Sequence, residues 1–113
     1  MVSDPASDET RMQEHGQLVQ CVQALKEKFL QLNNDVREHQ RVLATLEPLE
    51  EGRRAYRLVG DVLVEQTVGE VKPYLATTIA ELQKTIGEFE AQIVARSKEL
   101  AEFEAKYTPR PAA

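Results

Sequence analysis

Few side chains in this sequence are of a type that does chemistry, and none has a partner at working distance along the chain. Cys21 is the single cysteine, so it can form no intrachain disulfide. It sits on a helical pattern with no His or acidic neighbour arranged to activate a nucleophile. His15 and His39 fall at the spacing of an apolar seam. His39 has the choice between metal ligand, pH switch and polar seam layer, and the polar layer is the expected reading because such layers commonly set helix register. Arg96 is the matching oddity on the second helical segment, and its aliphatic stem can cover apolar surface while the guanidinium reaches out. The acidic run of Glu99, Glu102 and Glu104 reads as a solvated face. No Gly-rich phosphate loop is present. The expectation is a protein without catalytic site, cofactor or metal.

Composition narrows the class further. In 113 residues, hydrophobic types make up 42 % but aromatics only 5 %, with no Trp. A compact globule of this size draws much of its buried area from aromatics. Charged residues reach 29 %, which suits long helices with a narrow apolar seam. The formal net charge is −5, and the Lys and Arg are scattered. Nothing resembles a basic patch that neutralises phosphates, so nucleic acid is not an expected partner. No stretch has the length of a membrane span, and Met1 to Thr10 lacks the apolar run of a signal peptide. A cytoplasmic address is expected.

The seam itself is regular. Leu18, Val22, Leu25, Phe29, Leu32, Val36, His39, Leu43 and Leu46 step by four and three. Leu75, Ile79, Leu82, Ile86, Phe89, Ile93, Arg96, Leu100, Phe103 and Tyr107 do the same. This is the 3.5-residue repeat of a coiled coil. Two helices, each roughly 50–60 Å long at 1.5 Å per residue, fold back on each other as an antiparallel pair. Pairing residues whose numbers sum to about 125 matches every seam position with another. A slip of one heptad, to a sum of about 118, matches them as well. The apolar steps leave that choice open, and His39 and Arg96 are candidates for making it.

Between the arms the pattern changes. Pro48 disfavours the helical conformation just before it, so the first helix stops by Glu47. Gly52 adds a break. From Arg54 to Thr67, apolar residues flank Gly60-Asp61, which reads as a β-hairpin with a two-residue turn. Thr67 and Glu70 have capping-box spacing, starting a short helical turn that Pro73 can interrupt before opening helix two. The expected organisation is a tail over 1–9, a single domain over 10–107 (helix 10–47, hairpin 54–67, helix 73–107) and a tail over 108–113.

The hairpin is the misfit. Tyr56, Leu58 and Leu63 share one face, and Val59, Val62 and Val64 the other. A two-stranded hairpin alone is marginal in water, and its open edges invite further strands. Either it packs on the helix ends as a linker, or hairpins of other chains complete it into a larger sheet or barrel; the second is the expectation. At the opposite end of the arms, Leu18, Val19, Val22, Leu100, Phe103 and Tyr107 lie where helices fray. Leu18, Val22, Leu100 and Phe103 are expected in the seam, with Val19 and Tyr107 better placed for exposure.

The run Tyr56-Arg-Leu-Val-Gly60-Asp-Val-Leu-Val-Glu-Gln-Thr67-Val-Gly-Glu-Val71-Lys-Pro73, flanked by heptad arms, resembles the hairpin and helix start of the β-type prefoldins, and the resemblance covers residues 10–107. It implies a mainly α fold: two long helices in an antiparallel coiled coil joined by a single β-hairpin. It also implies an ATP-independent chaperone subunit. Four β-type and two α-type chains would form a hetero-hexamer whose hairpins build a double β-barrel platform. Unfolded clients such as actin and tubulin would be held at the arm tips and passed to the group II chaperonin. On this chain the platform role would fall to Tyr56, Leu58, Val59, Val62, Leu63 and Val64. The client role would fall to Leu18, Val19, Val22, Leu100, Phe103 and Tyr107. The alternatives are a β-type subunit shared with a prefoldin-like assembly, or a plain coiled-coil adaptor.

Overall fold

A computed structural model describes residues 5–107 of the chain, with side chains from Asp8 onward. Of the expected tails over 1–9 and 108–113, residues 1–4 and 108–113 lie outside the described residues. The element order is helix α1 (Pro5–Leu46), strand β1 (Arg54–Val59), strand β2 (Val62–Thr67) and helix α2 (Val68–Tyr107).

Both helices start earlier than the seam alone suggests. Helix α1 begins at Pro5, five residues before the expected position 10. Proline suits the first turn of a helix, where its missing N–H has no partner to lose. Residues 5–9 are therefore helical and not a tail. Helix α2 begins at Val68 and not at Pro73, which lies inside it. Six positions in, proline removes only the N–H that would bond the Gly69 carbonyl. The burial of Val68, Val71, Leu75 and Ile79 along this segment outweighs one missing bond. The α1 terminus at Leu46 follows from Pro48 two residues later.

The hairpin has the anticipated register: Arg54 pairs with Thr67, Leu58 with Leu63, and Val59 with Val62. Gly60 has φ of +60° and no non-glycine residue described has positive φ. The turn thus has a positive first central φ alone, the type II′ pattern, whose twist matches that of the flanking strands.

The described residues divide into two compact units: residues 31–86, which contain the hairpin, and residues 5–30 with 87–107. Within the second, Arg11 lies over the ring of Tyr107 and His15 stacks with Phe103. These pairs have numbers summing to 118, so the antiparallel pairing takes the slipped register rather than the sum of 125. In the hairpin unit, Lys72 Nζ donates to the Glu47 carbonyl, one residue from the same register. The burial stripe on α1 keeps strict four-three steps from Arg11 to Leu46. On α2 it does not: Arg96 is exposed and Ser97 is half-buried. Stepping from Ile93 to Ser97 and on to Leu100 keeps the stripe on the helix face while leaving the guanidinium in water. Placing Arg96 in the seam is corrected accordingly.

The tightest packing lies at the base of the hairpin. Val68 is 1 % exposed. The connector between α1 and β1 closes over it. Its N–H donates to the Arg53 carbonyl, and the next, Gly69 N–H, donates to Glu51, both at 2.9 Å. The third N–H of the helix, that of Glu70, is accepted by Thr67 Oγ1 at 3.3 Å, and the Thr67 hydroxyl also reaches Glu70 Oε1. Three of the four donors that a helix start leaves unpaired are thereby satisfied. Gly69 is needed here for space: a Cβ would stand 3.2 Å from Glu51 Cβ and 3.4 Å from its carbonyl oxygen.

Two glycines on one helix then make opposite predictions. Gly87 has open space around it, so Gly87→Ala should stabilise the chain by about 0.5–1 kcal/mol, the cost of glycine inside a helix. Gly69→Ala should destabilise it despite the same propensity gain, because the Glu51 backbone cannot retreat without losing its hydrogen bond. Thr67→Ala should cost about 1 kcal/mol through the lost cap. Urea unfolding followed by circular dichroism measures all three, and a stabilised Gly69→Ala would contradict the close-approach account.

Candidate functional site: an uncovered hairpin and a half-buried helix terminus

Alternation along the strands puts Arg54, Tyr56, Leu58, Leu63, Glu65 and Thr67 on one face. The other carries Ala55, Arg57, Val59, Val62, Val64 and Gln66. All six residues singled out for assembly are exposed, from Val64 at 37 % to Leu63 at 66 %. None of them is buried on its own chain. The sheet has two strands, so each strand also leaves one edge of backbone donors and acceptors without a strand partner.

The two faces differ near the base. On the first, Arg54 Nε and Glu65 Oε1 are 3.1 Å apart with both side chains largely in water, a pair worth at most about 1 kcal/mol. On the second, Arg57 is half-buried. Its Nε donates to Gln66 Oε1 at 2.8 Å, and its guanidinium lies 4.0 Å over the centre of the Tyr74 ring on α2. The hairpin is thus anchored at its root on one face, while the apolar residues toward the turn stay uncovered on both.

The six residues expected at the arm tips lie in the other unit. Val22 is buried, at 5 % exposure, and Leu18, Val19, Leu100 and Phe103 are half-buried. Tyr107 is exposed. Phe103 and Tyr107 touch as a tilted pair at 4.8 Å between centroids. Cations cover this pair: Arg11 at 4.9 Å and Lys106 at 5.2 Å from the Tyr107 ring centre. His15 Nε2 donates to Glu104 Oε1 at 3.0 Å. Val19 is less open than anticipated, because its position flanks the seam and shares its cover. The residue missed is Met12, 74 % exposed. It stands seven positions before Val19 and directly follows the seam residue Arg11, a spacing legible in the sequence once the seam is extended to the first turns.

The chemically suggestive residues resolve into local structure. His39 Nδ1 donates to the Asp35 carbonyl at 2.7 Å, so its polar demand is met within its own helix. Arg96 holds both oxygens of Glu99 at 2.9 and 3.1 Å. That hydrogen bond first, and the carboxylate charge second, push the guanidinium pKa up. Cys21 is exposed and lines an open groove of about 390 Å³ with Glu14, Gln17, Leu18 and Arg96. Among the described residues no three His, Cys, Asp or Glu side chains are grouped to hold a metal ion, and no helix is long and apolar enough to cross a membrane.

Known proteins with this organisation were found by sequence and by fold. The family described as "Prefoldin subunit" matches residues 9–110. Prefoldin subunit 2 of Homo sapiens is 42 % identical over 86 residues, 76 % of this chain and 56 % of that protein. The Arabidopsis thaliana protein of the same name is 35 % identical over 70 % of this chain and 53 % of its own length. The probable prefoldin subunit 2 of Schizosaccharomyces pombe is 32 % identical over 74 % and 73 %. The matched segment thus spans little more than half of the human and plant proteins. The crystal structure of the prefoldin beta subunit from Thermococcus strain KS-1 superposes with a TM-score of 0.74 over 97 % of this chain and all of that one. At 18 % identity that likeness speaks for the fold: two long helices around one hairpin, the β-type arrangement. Family match, relatives and fold agree, and on their combined weight the chain belongs to the prefoldin subunit family.

Proposed function

We propose that this chain is a subunit of an ATP-independent chaperone, a hetero-hexamer with α-type and other β-type prefoldin subunits. In it the hairpin joins the chain to its neighbours, and the far ends of the helices hold unfolded polypeptides. The observation that carries the reading is the hairpin: apolar on both faces, uncovered on its own chain, with free backbone edges. Exposed edges of this kind are a liability unless other strands pair with them, and contiguous exposed apolar surface marks an interaction site. Family membership supports other prefoldin subunits as the source of those strands.

The half-buried terminus suits the second role. Non-native chains present apolar segments without fixed geometry. A surface of partly exposed aliphatic and aromatic side chains can meet them without a shaped pocket. Actin and tubulin are the client class the family resemblance suggests, with onward transfer to the group II chaperonin and a cytoplasmic setting. No step in this reading consumes a nucleotide.

Assembly is tested by native mass measurement of the chain alone and with α-type and the remaining β-type subunits. A six-chain species with one copy of it is expected; a homodimer that ignores those partners would favour a plain adaptor. Introducing Val62→Asp with Val64→Asp should lower incorporation at least about a hundredfold, since each carboxylate would be buried without a partner, while helix content stays high. Retained assembly of that variant would remove the hairpin from the interface. Replacing Met12, Val19 and Tyr107 by Ser should leave assembly intact and weaken suppression of client aggregation on the order of twofold, because the remaining arms share the grip. Unchanged suppression would take these three residues out of the client surface.

A further inference from the structure

The root of the hairpin holds an interaction that strand pairing does not use. Two backbone hydrogen bonds, Val68 to Arg53 and Gly69 to Glu51, tie the connector to the start of α2. Both lie at the base, so together they form a pivot. Because both sit at the base, they hold the root in place and do less to restrain the tilt of the strands beyond it. Arg57 lies three residues up β1, about 10 Å from the base at ~3.3 Å per residue. Tyr74 lies six residues into α2, about 9 Å from the same point. The stack of one on the other, at 4.0 Å, closes a triangle. A triangle has a fixed angle where a pivot has none.

Both partners are held for the purpose. The guanidinium is oriented by its Nε donation to Gln66 Oε1 on the neighbouring strand, so it moves with the sheet as a unit. Its planar form stacks on a ring in a way that a Lys ammonium does not reproduce. Tyr74 is 44 % exposed, so its ring offers little to the core and one face to Arg57.

We infer that Arg57 is a positioning residue that, stacked on Tyr74, sets the angle at which the hairpin leaves helix α2 and thereby aligns its edges with the strands of neighbouring subunits. The inference rests on the proposed assembly role of the hairpin. Its leverage is geometric. From Arg54 to the turn is about 20 Å, so a tilt of roughly 15° displaces the turn by about 5 Å, one full spacing between adjacent strands. An angular error of that size offers the partner strand the wrong row of hydrogen-bonding groups.

The test uses the full chain. Spin labels at Asp61→Cys and Ala80→Cys, in a Cys21→Ser background, report the hairpin-to-helix distance. Arg57→Ala should broaden that distribution with helix content unchanged, and an unbroadened one would overturn the inference. Incorporation into the complex with the five remaining subunits should fall about tenfold for Arg57→Ala and for Tyr74→Ala. The double variant should be no worse than either alone. Tyr74→Phe, which keeps the ring, should incorporate as the parent does, whereas Arg57→Lys should not restore it. Independent losses that multiply in the double variant would make the stack incidental. If Val62→Asp with Val64→Asp blocks assembly while Arg57→Ala incorporates normally, the positioning role alone fails. If both variants incorporate normally, the assembly reading fails with it.

Discussion

Everything in the hairpin unit depends on the donation of two successive helix N–H groups to carbonyls of the connector, Val68 to Arg53 and Gly69 to Glu51. The start of a helix is a cluster of unpaired donors, and a β-hairpin entering it brings its own strain of direction. Here one feature serves both. The connector's carbonyls complete the helix start, and the missing Cβ of Gly69 lets the Glu51 backbone approach. Val68, the most buried side chain described, is sealed beneath. Thr67 ends β2 and caps α2 in the same residue. No spacer intervenes, so strand and helix share one root.

That economy explains why the hairpin can remain so bare. A two-stranded sheet in water has little to hold it, and its apolar residues here contribute almost nothing to their own chain's core. Its stability must come from its ends: the II′ turn at Gly60-Asp61, and the root, where backbone bonds and the Arg57–Tyr74 stack attach it to helix. An element stabilised from its ends keeps both faces and both edges available. A hairpin buried on the helices would be better protected and of no use for pairing with other strands.

Much of this was legible in the residues, and the failures have physical causes. The four-three steps located both arms, Pro48 located the end of α1, and Gly60-Asp61 located the turn with its register. The capping pair Thr67 and Glu70 marks the start of α2, and Pro73 does not interrupt the helix. A proline that forfeits one hydrogen bond early in a helix is outvoted by Val68, Val71, Leu75 and Ile79. The register was ambiguous because a heptad slip preserves every apolar match; only long-range pairs such as His15 with Phe103 break the tie. Arg96 was misplaced for a related reason, since a strict repeat cannot anticipate a local step of the stripe to Ser97. Met12 lies beyond the last apolar step at Leu18, where His15 and Arg11 hold the seam positions and give no apolar signal. The stack of Arg57 on Tyr74 had no sequence signal, because a strand position and a helix position seventeen residues apart meet only once the connection between them has a definite angle.

Burial is unevenly spread between the units, and the distribution bears on function. Of the buried hydrophobic residues described, Leu32, Val36, Val68, Val71, Leu75 and Ile79 lie in the hairpin unit, and Val22 alone in the other. Seam residues in that second unit, such as Leu18, Leu25, Phe29, Phe89, Ile93, Leu100 and Phe103, stay half-buried. These seam residues are less secluded than Leu32 and Val36, so each retains part of its apolar surface in contact with water. In a protein that only needed to stay folded this would be a deficit. Where the proposed partner is any unfolded chain, incomplete burial becomes the operative property. Apolar surface that is anchored on one side and open on the other can be covered by an incoming segment with no prior unfolding of the arm. Tight packing near the hairpin and looser packing near the helix ends suit the two roles proposed for them.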